Sequence, residues 1–270
     1  MSKKLAVLVI HGMGSQDSEF ATEMINEVNS RISHISLNPD DIAWKPVFWA
    51  DIVEPRQKEY LQKAKREHDI DLIALREFVI SSLGDATAYQ RIGGEENATY
   101  RDIQERVSLT IKELYERDLG GQKCPLIILA HSLGGHIMSC YIWDIQKKSQ
   151  EEAGGGSSFE NMEHLAGFIT FGCNIPLFTF AYKNVVPISF PGKELSDENK
   201  SKAKWLNYYD PQDVLGYPLT AIKAYEKIVD DIPINAGNIF TSWNPISHMH
   251  YWTDNDFTGE VSKFVSNFLK

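Results

Sequence analysis

The chain has 270 residues, 43% of them hydrophobic and 24% charged, which fits an ordinary soluble globular protein with a substantial core. Its 37 acidic residues outnumber 27 lysines and arginines, a formal charge of -10. That excess of acid argues against nucleic acid and against anionic membrane surfaces, both of which need clustered cations.

The N-terminus MSKKLAVLVIHGMG has two lysines before an apolar run, but the run stops after six residues at His11 without a small-residue cleavage site. A secretory signal is therefore not expected. No stretch approaches the roughly 20 apolar residues that span a bilayer. The three cysteines, Cys124, Cys140 and Cys173, show neither CxxC nor zinc spacing. They read as reduced, mostly buried thiols, and the expected location is cytoplasmic.

Short, near-continuous apolar runs predict strands at Leu5–Ile10, Ile42–Trp49, Pro125–Ala130, Leu165–Phe171 and Lys204–Tyr208, with a weaker one at Ile234–Phe240. Continuous hydrophobicity, rather than alternation, marks a parallel sheet covered on both faces. Helical patterns lie between them, at Glu19–Ile32, Arg56–Arg66, Asp71–Leu83, Tyr100–Arg117, Leu133–Lys147, Ala221–Val229 and Phe257–Leu269. The alternation predicts α/β architecture, with a mostly parallel sheet of about six strands flanked by helices. The polar stretches Lys148–Glu160 and Gly192–Lys202 are expected to be surface loops, and no repeat is visible. The chain is expected to be a single domain over residues 1–270, with a helical insertion at 54–98.

The apolar run PLIILA ends on HSLGG and passes into an apolar-periodic helix at Leu133, Ile137, Tyr141 and Ile145. Ala130-His131-Ser132-Leu133-Gly134 has the spacing of the nucleophile elbow Gly-x-Ser-x-Gly, with alanine at the first position. A strand that turns sharply into a helix crowds the residues two before and two after the serine, so both must be small. The competing account is that Ser132 only caps the helix, worth about 1 kcal/mol.

AHSLGG and VLVIHGMG together resemble the α/β-hydrolase family, in its lipase- and esterase-like branch. The resemblance implies the α/β-hydrolase fold, here lacking its two leading strands. It also implies a chain order of nucleophile, acid and histidine. By that order Ser132 is the nucleophile, Asp213 in NYYDPQDVLG the acid and His248 in SHMHYW the base. Asp210 and His250 are the competing residues. Asp210 precedes Pro211 and has a turn-forming explanation. The pair His248-x-His250 could also suggest a metal, but two histidines are too few for zinc. By the same resemblance, the backbone N–H groups of Met13 and Leu133 form the oxyanion hole. HGMGSQ lacks the pattern of a phosphate loop. His11 and His131 are expected to be buried hydrogen-bonding residues.

Phe168, Phe171, Phe178, Phe180 and Tyr182 are expected mostly in the core, with some of them joining Leu83, Ala86 and Tyr89 along an acyl pocket. The activity implied is cleavage of a small-molecule or lipid-like carboxylic ester with an apolar acyl group, without cofactor or metal. Acyl transfer, amide hydrolysis and a non-catalytic binding protein are the alternatives. Reach between His248 Nε2 and Ser132 Oγ is the geometric expectation.

Overall fold

The computed structural model describes residues 3–14, 16–68, 71–90, 97–151, 156–236 and 245–270. Six strands form one sheet in the order β2-β1-β3-β4-β5-β6, and every neighbouring pair is parallel. They are β1 (Leu5–Ile10), β2 (Ile42–Val47), β3 (Leu126–His131), β4 (Leu165–Phe171), β5 (Lys204–Tyr209) and β6 (Val229–Pro233). The helices are α1 (Thr22–His34), α2 (Ala50–His68), α3 (Ile73–Ala88), α4 (Ala98–Glu113), α5 (Leu133–Glu151), α6 (Ile175–Thr179), α7 (Asp197–Lys202) and α8 (Asn255–Ser266).

The apolar runs become central strands because successive side chains must point to opposite faces, and here both faces are covered. On one face Ala6, Leu8, Ile10, Leu126, Ile128 and Phe168 join Ile103 and Val107 of α4 and Ile137 and Met138 of α5. On the other, Leu5, Val7, Val9, Ile127, Leu129 and Ile169 join Met24 and Val28 of α1 and Val261 and Phe264 of α8. All six residues of β1 and all six of β3 are buried. Each such aliphatic side chain contributes about 1.5–3 kcal/mol of transfer free energy. Helix α8 begins where Asp254 accepts the Phe257 N–H at 2.7 Å, and its apolar stripe at 257, 261, 264 and 265 faces the sheet.

Several expectations are corrected. The last strand is Val229–Pro233, not Ile234–Phe240, and part of the latter range lies outside the described residues. Two aspartates hid it. Asp231 earns its place in an edge strand by accepting from Asn207 Nδ2 at 2.7 Å and from the Leu219 and Thr220 N–H groups at 3.0 and 2.7 Å. The expected helix Ala221–Val229 is a run of tight turns, closed by bonds such as Ile222 N–H to Leu219 O and Tyr225 N–H to Ile222 O. Helix α2 starts at Ala50, earlier than Arg56, and carries Pro55 inside it. Burial of Ala50 and Val53 outweighs the one ladder hydrogen bond that proline removes. The polar stretch Gly192–Lys202 contains α7, capped by Ser196, whose hydroxyl accepts the Asn199 N–H. Phe180 and Tyr182 are exposed, at 81% and 61%, because α6 ends at Thr179 before it can turn them inward.

The close packing of α8 on the sheet can be tested at Gly167 in β4. A Cβ there would lie 2.5 Å from Phe264 Cε1 and 3.0 Å from Ile127 Cγ1. Gly167→Ala is expected to destabilise by about 1–3 kcal/mol through overpacking, read as a lower urea midpoint at unchanged slope. A neutral result would mean that α8 is free to shift.

Candidate active site

The residues singled out from the sequence converge where parallel strands end, the usual ligand-binding edge of an open α/β sheet. β1 runs into His11–Gly14, β3 into Ser132, β4 into Gly172 and β5 into the loop Asp210–Asp213. A 3₁₀ segment, Pro245–Thr253, brings His248.

Ser132 stands between β3 and α5 with φ +52°. That left-handed conformation costs a non-glycine residue about 1–2 kcal/mol, and such strain gathers at functional sites. Its N–H donates to Phe171 O at 2.9 Å, and its carbonyl accepts the Gly135 N–H at 3.0 Å. The two-residue spacing of small residues has distinct causes on the two sides. Ala130 is fully buried between Ile10 and Thr170 of the flanking strands. Gly134 faces the exit of β1, where an added Cβ would stand 2.6 Å from His11 O and 3.0 Å from Ile10 O. Gly12 presses on the serine from the same side, and a Cβ there would collide with Ser132 Cβ. Two elements thus close on the elbow with backbone alone.

Asp213 and His248 form a pair. His248 Nδ1–H donates to Asp213 Oδ2 at 2.8 Å, and both residues are about 5% exposed. Asp213 Oδ1 accepts the Leu215 N–H at 2.9 Å, and the Tyr251 hydroxyl donates to Oδ2 at 3.1 Å. Burial alone would raise the Asp213 carboxyl. The hydrogen bond and charge of His248, with the Leu215 and Tyr251 donors, outweigh it and leave the group below its ordinary value. Gly172, at φ +54°, and Gly216 leave room for this pair: a Cβ at the first would be 3.0 Å from His248 Cε1, and at the second 2.6 Å from Asp213 Oδ2.

Asp210 does something else. Its carboxylate accepts the Gln212 N–H at 2.8 Å and the Ala236 N–H at 3.0 Å, so it orders the loop and not a histidine. His250 lies two residues beyond the pair, with its carbonyl taking a 3.4 Å bond from Thr253 Oγ1. Among the described residues, no group of three or more His, Cys, Asp and Glu side chains is arranged to hold a metal.

The expected hydrogen bond between Ser132 and His248 is not formed. Ser132 Oγ and His248 Nε2 are both buried and have no hydrogen-bond partner among the described residues. The Met13 and Leu133 N–H groups likewise have no acceptor among the described residues.

His11 and His131 act as struts. His11 Nδ1–H donates to Gly12 O at 2.8 Å, its Nε2 accepts the Trp49 N–H at 3.0 Å, and its ring stacks on Trp49. His131 Nε2–H donates to His248 O at 2.8 Å, holding the backbone of the histidine that pairs with Asp213. Burial lowers His11 to about 4 and takes His131 well below its ordinary value, so both rings are neutral. Of the expected pocket residues, Leu83 is exposed, whereas Tyr89 is buried and meets His136 edge-on, and His136 stacks on Phe178 at 3.8 Å.

Three residues that hold the site were not found from the sequence. In the sequence Tyr251 is only one residue of SHMHYW. Trp49 read as the end of a strand. Asp85, in the insertion, accepts the Gly14 N–H at 3.0 Å. A signal for it existed, since Asp85 is the lone charge between Phe78 and Gln90.

The buried neutral imidazoles make stability depend on pH. His11, His131 and His136 have folded-state values below the ordinary 6.5, at about 4 for His11 and about 3 for His136, in each case through burial first. The unfolded chain therefore binds more protons, so the stability they contribute is present above pH 6.5 and lost as pH falls towards 4. His11 alone withdraws on the order of 3 kcal/mol across that span. Asp85, raised to about 6 by burial, works in the opposite direction between about 4 and 6 but is a single group. The urea midpoint is expected to fall from pH 7.5 to pH 5, and a flat profile would contradict the neutral assignment.

No family model and no curated protein matches the chain. Among solved structures, 17 chains match. A candidate hydrolase of the alpha/beta superfamily from Xanthomonas campestris pv. campestris is 10% identical, with 96% of this chain and 98% of that one covered, at a TM-score of 0.40. A candidate YdeN-like hydrolase from Pectobacterium atrosepticum is 13% identical over 99% of this chain and 94% of that one, at 0.38. Est1E from Butyrivibrio proteoclasticus is 12% identical over 99% and 89%, at 0.38. The fold is recognised in the sheet itself: six parallel strands flanked by helices, with a serine elbow closing β3, an aspartate following β5 and a histidine preceding the last helix, make this an α/β-hydrolase fold.

Proposed function

We propose that the chain is a serine hydrolase that cleaves a carboxylic ester with an apolar acyl group, and that residues 1–270 form one catalytic domain. The observation that carries the reading is the hydrogen-bonded Asp213–His248 pair beside a buried, unpartnered Ser132 on a left-handed turn. In this reading Ser132 Oγ attacks the ester carbonyl while His248 Nε2 takes its proton. Asp213 holds Nδ1–H, which fixes the tautomer and balances the imidazolium. The carbonyl oxygen becomes an oxyanion that accepts from the Met13 and Leu133 N–H groups, each such donor worth about 2.7–4 kcal/mol in the transition state. The intermediate collapses, the C–O bond to the alcohol breaks, and His248 protonates the leaving oxygen. Water then attacks the acyl-Ser132 with His248 again as base, releasing the acid.

We read the apolar acyl group from the aromatic contacts of Tyr89, His136 of α5 and Phe178, and from Met13, which packs on the core. No helix among the described residues is long and apolar enough to cross a membrane. Cys124 and Cys173 are buried thiols pushed up to about 12 by burial, which makes them poor nucleophiles. A cytoplasmic location is part of the proposal, supported by the three cysteines being free thiols.

A fluorophosphonate is expected to label Ser132 covalently, and Ser132→Ala should abolish both labelling and esterase turnover. A wild-type protein that takes no label would sink the serine-hydrolase reading. With p-nitrophenyl esters, kcat/KM is expected to rise from acetate to longer chains, each buried methylene being worth up to about 0.8 kcal/mol. Preference for acetate would remove the apolar acyl claim while leaving the nucleophile intact.

A further inference from the structure

Helix α3 of the insertion carries, in its last turn, a side chain that reaches back to the loop after β1. Asp85 of α3 is 5% exposed and has two donors. Oδ2 accepts the Gly14 N–H at 3.0 Å, and Oδ1 accepts from Gln57 Nε2 of α2 at 2.7 Å. Gly84, the preceding residue, lets Gln57 come this close, since a Cβ there would stand 2.9 Å from Gln57 Nε2. The backbone N–H of Tyr89 closes the same turn on Asp85 O at 2.9 Å.

The loop His11–Gly14 is thus held at both ends. At its start, the indole N–H of Trp49 donates to His11 O at 3.1 Å, and the His11 ring ties Gly12 O. At its end, Gly14 sits at φ +94° with open space around its Cα, so side-chain packing does nothing to hold it. A glycine at positive φ is free to leave that conformation, because both signs of φ are open to it. What restrains it is the carboxylate of Asp85. Met13 lies between these anchors, and the direction of its N–H follows from the peptide planes on either side.

We propose that Asp85 is a positioning residue: by accepting the Gly14 N–H it aims the Met13 N–H at the oxyanion, so the insertion builds the oxyanion hole. This rests on Ser132 being the nucleophile. The chemistry of the donor set fits a carboxylate, since both partners donate and an ionised carboxylate only accepts. Burial, with the charge of Glu54 adding to it, raises the carboxyl to about 6, while the Gly14 and Gln57 bonds oppose the rise. At neutral pH the group is mainly ionised. An asparagine could keep the Gly14 bond through its own oxygen, with the Gln57 amide turned to present Oε1.

The test compares wild type, Asp85→Asn, Asp85→Ala and Asp85→Leu, with rates expressed per active site titrated by fluorophosphonate. The alanine and leucine variants are expected to lose about 10- to 100-fold in kcat and in the rate of phosphonylation, the scale of a misplaced catalytic group, with KM within about twofold. Asp85→Asn is expected to recover to within about fivefold of wild type, the size of a modest hydrogen-bond defect. Backbone amide exchange at Gly14 should speed up in the alanine variant and not in the asparagine variant. A merely structural role would lower the melting temperature and the titratable fraction but leave the rate per site unchanged. Unchanged rates per site, an asparagine variant as poor as alanine, or unchanged Gly14 exchange would each overturn the inference alone. A wild-type protein that takes no label would overturn it together with the nucleophile reading.

Discussion

The candidate site depends on one close approach. The exit loop of β1 lies against the elbow of β3 with no side chain between them: Gly12 touches Ser132, and Gly134 touches the carbonyls of Ile10 and His11. Parallel pairing of β1 and β3 sets this approach, since Ile10 and Ala130 are register partners at the last rung before both chains turn. A side chain on either glycine would force this contact apart.

Around that contact the supports come from residues far apart in the chain. His131, one residue before the serine, holds the carbonyl of His248. Tyr251, three residues after His248, accepts the Asp210 N–H at 2.8 Å and donates to Asp213. His11 and Trp49 lock the start of the β1 loop through two bonds, both donated by Trp49. Among the described residues, five buried side-chain polar atoms have no partner: His131 Nδ1, Ser132 Oγ, Asn174 Oδ1, His248 Nε2 and Trp252 Nε1. An unpaired buried polar atom costs about 1–3 kcal/mol. In the proposed reaction two of these five, Ser132 Oγ and His248 Nε2, exchange a proton.

Strained and unpaired groups of this kind draw on stability supplied elsewhere. The three fully buried strands, β1, β3 and β4, and the helices on both faces supply it. The same burial that stabilises the sheet keeps His11, His131 and His136 neutral, so acid attacks the fold through the groups that hold the site.

The sheet was legible in the sequence because its strands are buried on both faces and so read as unbroken apolar runs. β1 and β4 were located to the residue. β6 was missed because an edge strand faces solvent on one side and can carry Asp230 and Asp231, and 221–229 because a helical pattern does not reveal that its turns close three residues back. Ser132, the acid loop and the histidine segment were visible because chain order and local spacing are sequence properties. The pairing of Asp213 with His248, and the separate work of Asp210, came only from the tertiary structure, because two acids three residues apart differ in what their carboxylates meet. Asp85 is the extreme case. Its partner Gly14 is 71 residues away, and no local pattern records a hydrogen bond that exists only once the insertion has packed against the sheet.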